Sequence, residues 1–367
     1  MIDVKALGID PGTSSFDVCC LDDGAIGVED SIPTNIVAQT PEVLFEVVEQ
    51  AAPDVMVGPS AMGVPCKHIS QLSEVDIAYA TLAKNTEVDI AIRRFIHMLQ
   101  AAKYNVYFVP SIIQLPTVPI HRKTNKVDMG TADKTCITAL AIWDHAHEHH
   151  VPYRDADVIV VELGFGFNAA MAVQGGQVRD GVGGTLFPGP GFLTIGAMDL
   201  ELSHLLGRFS EAQLGLGGAT YIAADEVMTP EAFAQSLDDK RYRIAWDALV
   251  EGVVKAVAME TTMVPRGATE ILLSGRLSRV TPLYERLRER LKARFSPPIR
   301  RVTGFSTGSK EAAQGAALIA NGLGGGVYKE LVEVMRLQEA AGTVLDYLYW
   351  PAFNGNAFMA KKMAAMK

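Results

Sequence analysis

The sequence predicts an α/β protein built from two copies of one strand-rich unit, and three observations carry that expectation. Short apolar runs alternate with helical patterns along most of the chain. The chain has 367 residues, 49% of them hydrophobic, which is enough for two domain-sized cores and excludes global disorder. Asp10 and Glu162, Gly12 and Gly164, and Gly24 and Gly176 are each separated by the same 152 residues. An acid at a strand end, a glycine two residues on and a hairpin glycine therefore recur together, as a supersecondary repeat rather than a short-period solenoid.

Residues 4–9 form an apolar run ending at Asp10, followed by Pro11-Gly12-Thr13-Ser14-Ser15; 16–21 is a second run, Asp22-Asp23-Gly24 a hairpin turn and 25–31 a third strand. Helical spacing at 41–51 follows, with Pro41 in an early position, and 55–57 reads as a buried strand. Residues 59–74 read as loop, 87–103 as an amphipathic helix, 106–109 as a strand and 111–128 as a Pro-rich, basic stretch leading into a long helix over 131–149. The second half repeats the opening pattern: strands over 158–161 and 169–173, a turn at Gln174-Gly175-Gly176 and a strand over 178–182. Helices over 243–259, 282–294 and 309–323 then frame strands at 270–273 and 299–303, and Gly324-Gly325-Gly326 reads as a linker. The expected domains are 1–153 and 154–325, with a helical extension over 326–367.

Lys and Arg total 33 against 42 Asp and Glu, a net charge of −9, with a pI near 5.4 and mean hydropathy +0.16. Such a surface repels phosphate backbones, so nucleic acid is not an expected partner. Backbone N–H groups still leave room for a small anion. The four cysteines, Cys19, Cys20, Cys66 and Cys136, show neither a disulfide framework nor a CxxC pair. The start of the chain lacks the basic and apolar blocks of a signal peptide, and no run of 18 apolar residues appears, so a cytoplasmic protein without a membrane partner is expected. The Met-rich end, 356–367, reads as a packing or interface tail, compatible with a homo-oligomer.

A duplicated strand–turn–strand with a Gly/Ser/Thr-rich first turn can hold the two ends of a polyphosphate. Each turn presents N–H groups, and each strand-end carboxylate can hold Mg²⁺ through water. The run Gly164-Phe165-Gly166-Phe167-Asn168-Ala169 also fits a dinucleotide fingerprint, but the hairpin that follows it leaves no room for the helix which that fingerprint must open. Gly304–Lys310 lacks the spacing of a phosphate-binding P-loop. In 144–150 (DHAHEHH), His145 and His149 are four apart; ending a helix, they suit its C-terminal dipole better than a metal.

On residues 7–21 and 158–173 as phosphate loops, 271–279 (ILLSGRLSR) as an adenosine loop and 311–323 (EAAQGAALIANGL) as a closing helix, the chain resembles the acetate and sugar kinase/Hsp70/actin (ASKHA) superfamily. Residues 180–185 (DGVGGT) and 127–134 (VDMGTADK) make it most similar to the archaeal-type family labelled predicted butyrate kinase (DUF1464); the resemblance spans about 4–325. It implies duplicated ribonuclease-H-like, actin-like ATPase domains with a nucleotide cleft between them, and ATP and Mg²⁺ as cofactors. By that resemblance Asp10, with Glu162, would hold the metal. Gly12, Thr13, Ser14 and Ser15 would face Gly164, Phe165, Gly166 and Asn168 across the phosphates, with Gly183 and Gly184 beside them. Gly275 would admit the adenosine, and Arg276, Lys310 and Glu311 would contact adenine or ribose. Two departures stand out: Glu162 where aspartate is commoner, and Ser274-Gly275 where many members have two glycines.

A kinase also needs a group to orient its acceptor. Asp133, in a Gly-Thr-Ala-Asp-Lys segment similar to the Gly-x-Asp-Arg of type III pantothenate kinases, is the first candidate and Asp128 the second. Either would otherwise serve as a first-turn helix acid. A carboxylate acceptor needs no base, and Arg122, Lys126 or Lys134 would then act as anion clamps. The expected function is an ATP-dependent kinase acting on a small-molecule acceptor, either a carboxylate (acetate or butyrate) or an alcohol. The rivals are a non-catalytic ATP-binding regulator and a kinase step in cofactor biosynthesis.

Overall fold

The computed structural model describes residues 3–22, 24–82, 86–207, 213 and 215–365. Asp23, the centre of the expected hairpin turn, and the last two residues of the Met-rich tail lie outside them.

Strands β1 (Lys5–Pro11), β2 (Ser15–Asp22), β3 (Ala25–Pro33), β4 (Val55–Val57), β5 (Lys67–His68) and β6 (Val106–Phe108) form one sheet in the order β3-β2-β1-β4-β6-β5. Strands β7 (Val158–Leu163), β8 (Asn168–Gln174), β9 (Gln177–Gly183), β10 (Glu270–Ser274) and β11 (Ile299–Arg301) form the other, in the order β11-β10-β7-β8-β9. In each sheet two antiparallel hairpins are followed by two parallel strands beside the first. The register repeats as well. Asp10 pairs with Asp17 and Leu7 with Cys20 in the first sheet, and Glu162 pairs with Ala169 and Ile159 with Ala172 in the second. The offset read from three residues therefore holds for the whole hairpin.

Both faces of each central strand are covered, which is why β1 and β7 read as unbroken apolar runs. Leu7 and Ile9 face an outer core with Leu44, Phe95 and Phe108, while Ala6 faces an inner core. Ile159 and Val161 face the second sheet's outer core with Phe187, Phe192 and Trp246, and Val158 and Val160 turn inward to join Ala6. Two helices fill that inner layer, Ala132–His149 and Glu311–Leu323. They touch through small residues: a Cβ on Gly315 would lie 1.8 Å from the Cys136 carbonyl oxygen. The second helix also lies flat on β1, where a Cβ on Gly8 would sit 2.3 Å from both the Ala313 oxygen and the Ala317 nitrogen. The helix that ends the second half in sequence thus packs on the first sheet in space.

Three local expectations are corrected. The 59–74 stretch is not all loop, since it contains β5 and the short turn Ile69–Gln71. Helices Thr34–Gln39 and Glu74–Ala80 were not anticipated; they are short, with too few apolar repeats to register. Gly324-Gly325-Gly326 is no loose linker: the Gly326 N–H donates to the Asn321 carbonyl at 2.9 Å, and a Cβ there would meet the Asn321 carboxamide at 2.4 Å. Among the described residues no helix is long and apolar enough to cross a membrane.

Candidate phosphate-binding cleft

Asp10 and Glu162 end their strands at a shared cleft of about 520 Å³, within the size range of small-molecule sites. The two turns beyond these acids are built alike. A Cβ on Gly12 would lie 2.8 Å from the Ser15 carbonyl oxygen, and one on Gly164 would lie 2.4 Å from the Phe167 oxygen. In both halves the glycine is required because the chain curls back onto its own carbonyl three residues later. The turns meet across the cleft, where a Cβ on Gly166 would stand 3.3 Å from the Thr13 hydroxyl. Among the described residues the N–H groups of Thr13, Ser14, Gly164, Phe165 and Gly166 find no backbone acceptor. Unspent donors converging from two loops are what a polyphosphate requires. Gly12 is the exception, its N–H lying 3.1 Å from both the Asp10 and Ser15 oxygens. Asn168 is 1% exposed and lines the cleft, with neither its amide nitrogen nor its oxygen paired.

The carboxylates differ in their surroundings. Burial, above all, pushes Asp10 up to about 7, with Lys310 opposing and Asp133 and Asp17 adding to the rise. Its carboxylate accepts no hydrogen bond among the described residues, which leaves its oxygens open to a hard cation such as Mg²⁺. Glu162 fits one less well, because Lys134 Nζ already sits 3.1 Å from its Oε2. Burial still raises Glu162, and Lys134 only partly offsets this. Lys134 also pairs with Asp133, whose other oxygen accepts from the Thr131 hydroxyl. Burial would raise Asp133, but Lys134 and Thr131 outweigh it and hold the acid below the usual carboxylate range. Burial alone would likewise lower Lys134, yet its two carboxylates keep it well above an ordinary lysine. This lysine straps the first half to the second.

Asp128 lines the cleft nearby. Its Oδ1 accepts from the Gly130 N–H at 2.8 Å, and Gly183 and Gly184 leave room for it: a Cβ on Gly184 would meet Oδ2 at 2.3 Å. Those glycines therefore seat Asp128, and both line the same cleft as the two turns. Gly275 lines the cleft too, and its own backbone already requires glycine, since it has φ +87° and a Cβ would strike the Leu163 backbone at 2.5 Å. Lys310 lines the cleft on the side of the first turn. It reaches the first turn, 2.7 Å from Asp17 Oδ2 and 2.9 Å from the Ser15 oxygen. Arg276 pairs with Glu231 at 3.0 Å on the rim, and Glu311 pairs with Arg279 at 2.9 Å. Arg122 is not a cleft residue: its guanidinium donates to the Arg179 carbonyl at 2.8 Å, and neither it nor Lys126 lines the cavity.

Sequence reasoning missed Asp17, Arg279, Thr131 and the apolar wall of Met62, Val88 and Ile92. Only Asp17 carried a readable signal, as an acid inside an otherwise apolar strand. The histidine cluster gathers around Glu270, with ligand atoms within 4.8 Å of one another. His145 Nδ1 and His149 Nε2 lie 3.0 and 3.5 Å from Glu270 Oε2, but Arg300 already grips Glu270 through two hydrogen bonds, at 2.7 and 3.1 Å.

The model of the family described as protein of unknown function (DUF1464) matches residues 8–350, and the chain belongs to that family. A search of the curated proteins finds no match. Among solved structures, a propionate kinase from Francisella tularensis is similar with a TM-score of 0.60 at 13% identity, over 86% of this chain and 98% of that one. Acetate kinases from Entamoeba histolytica (TM-score 0.55, 12% identity, 79% and 87% covered) and Porphyromonas gingivalis (0.55, 13%, 79% and 88%) are similar too. At such identities the likeness is one of fold: a duplicated α/β architecture shared with those kinases.

Proposed function

We propose that this DUF1464 protein is an ATP-dependent kinase that uses Mg²⁺ and transfers the γ-phosphate to a small-molecule acceptor, a carboxylate of the acetate or butyrate kind or an alcohol. The observation that supports this most is the pair of matched turns, Gly12–Ser15 and Gly164–Gly166, whose unspent N–H groups converge beside Asp10. In this reading the turns and the Asn168 carboxamide hold the phosphates, and Asp10 holds the Mg²⁺, whose charge screens the phosphate oxygens when it is bound. Asp133 lies close enough to Asp10 to raise it, which supports a role beside the γ-phosphate. There its carboxylate, whose two oxygens already accept from the Thr131 hydroxyl and Lys134, orients an acceptor hydroxyl through a remaining lone pair and takes up its proton. A likeness in fold to acetate and propionate kinases agrees with phosphoryl transfer.

The test is nucleotide binding followed by calorimetry. The full chain should bind ATP only weakly without Mg²⁺ and at least about tenfold more tightly with it. Gly164→Ala should abolish most of that gain, because its Cβ cannot pass the Phe167 oxygen. Gly355→Ala, where a Cβ makes only ordinary contacts at 3.6 Å, should not. Equal Mg·ATP affinity in wild type and Gly164→Ala would refute the two-turn site.

A further inference from the structure

We infer that the acceptor is an uncharged hydroxyl compound rather than a carboxylate, held by Asp128 through a second hydroxyl while Asp133 addresses the reacting one. The inference rests on the kinase reading above and narrows its acceptor class.

Charge decides between the two acceptors. An acyl acceptor carries a carboxylate into a cleft that must also hold the γ-phosphate, and it needs an unspent cation to do so. Four cationic side chains line the cleft among the described residues, and each is already paired. Lys134 is held between Asp133 and Glu162, and Lys310 by Asp17 and the Ser15 oxygen. Arg276 is bound to Glu231 and Arg279 to Glu311. Arg122, the remaining clamp candidate, donates to the Arg179 carbonyl outside the cleft. The lining of the same cleft instead offers a second acid, Asp128, together with Ser60, Met62 and Ile92. Asp128 spends one oxygen on the Gly130 N–H, and its other oxygen accepts from no described group. An ionised carboxylate accepts hydrogen bonds from hydroxyls and repels another carboxylate. Two acids, a serine and an apolar wall match a neutral polyol.

The step balances without a further reactant. The acceptor oxygen bonds to the γ-phosphorus, the bond from that phosphorus to the β,γ-bridging oxygen breaks, and the electron pair leaves with ADP. The hydroxyl proton passes to the Asp133 carboxylate and from there to solvent.

The experiment uses the full chain with Mg·ATP and two acceptor panels: sugars, glycerol and other polyols in one, and acetate, propionate and butyrate in the other. ADP release is the readout, and hydroxylamine traps any acyl phosphate. The expected result is ADP release stimulated at least about tenfold by a hydroxyl compound, with no hydroxamate formed. Asp128→Asn keeps the oxygen that receives the Gly130 N–H; it should raise the acceptor KM about tenfold or more while moving kcat and the Mg·ATP Kd by less than about threefold. Hydroxamate formed from a carboxylate overturns the inference and leaves the kinase reading standing. So does Mg·ATP binding with no hydroxyl compound turned over, or an Asp128→Asn variant with an unchanged acceptor KM. Absence of Mg·ATP binding would instead defeat the kinase reading itself.

Discussion

Replacing Lys134 by methionine removes the ammonium that joins Asp133 in one half to Glu162 in the other. The lysine side chain is 13% exposed and that of Glu162 11%, so the pair is largely desolvated. Deleting one member of a buried ion pair costs about 3–5 kcal/mol, because the abandoned charges stay where water cannot reach them. With about 2 cal/mol/K of unfolding entropy per residue, a chain of 367 residues would melt about 4–6 °C lower if it unfolds in one transition. The sign with pH follows from the pKa directions. Lys134 is held above the ordinary lysine value, so its contribution is fully present through neutral pH and is lost only as strongly alkaline solution strips its proton. In the variant, Asp133 and Glu162 lose the cation that lowers both. They rise and can relieve themselves by binding protons, so the deficit shrinks as pH falls. Melts of wild type and variant at about pH 8 and about pH 5, with and without Mg²⁺, check this. The deficit should be larger at the higher pH and partly restored by Mg²⁺. A variant within about 1 °C of wild type at about pH 8, or one more damaged at about pH 5, would refute the strap.

Asp10→Asn should trade function for stability. With its pKa raised to about 7, Asp10 contributes stability that is complete below the unfolded value near 3.8 and is lost as pH rises through 7. The metal-free variant should therefore outlast wild type at about pH 8 by up to about 4 kcal/mol while losing Mg²⁺-dependent nucleotide binding; equal melting of the two would count against it. Glu260, 2% exposed with Oε2 unpaired, is pushed up to about 8 by burial, with Asp180 adding. Glu260→Gln should match wild type below about pH 4.5 and gain steadily toward pH 8, by a few kcal/mol at most; a flat difference across that range would show the carboxyl to be ionised in the fold.

The strands and the repeat were legible because their causes are local. Alternation of faces writes itself as apolar runs, and a turn that closes on its own carbonyl admits only glycine, as at Gly12 and Gly164. The contacts of Lys310 were not legible, for the opposite reason. Its neighbours Asp17 and Ser15 lie some 290 positions away in the sequence, and only the packing of Glu311–Leu323 on β1 brings them together. Arg122 stands six residues before Asp128, but proximity in sequence says nothing about direction, and its guanidinium points to Arg179. Gly183 and Gly184 could be singled out but their contact with Asp128 could not, since a glycine records that something approaches without recording what.

The crossing helices bear on how the cleft works. Asp133 and Lys134 open one helix, and Lys310 and Glu311 stand at the start of the other. The acceptor end and the lysine that contacts the first phosphate turn therefore sit on a single packed pair, which meets tightly at Gly315 against Cys136. Gly315→Ala tests that coupling. Its Cβ would lie 1.8 Å from the Cys136 oxygen, and with backbone on the other side the helices must part. Such overpacking costs about 1–3 kcal/mol or more. If the pair is one rigid unit, the acceptor KM and the Mg·ATP Kd should rise in parallel, whereas Asp128→Asn raises the first alone. A Gly315→Ala protein that stays folded and weakens only one of the two ligands would show that the ends of the cleft move independently.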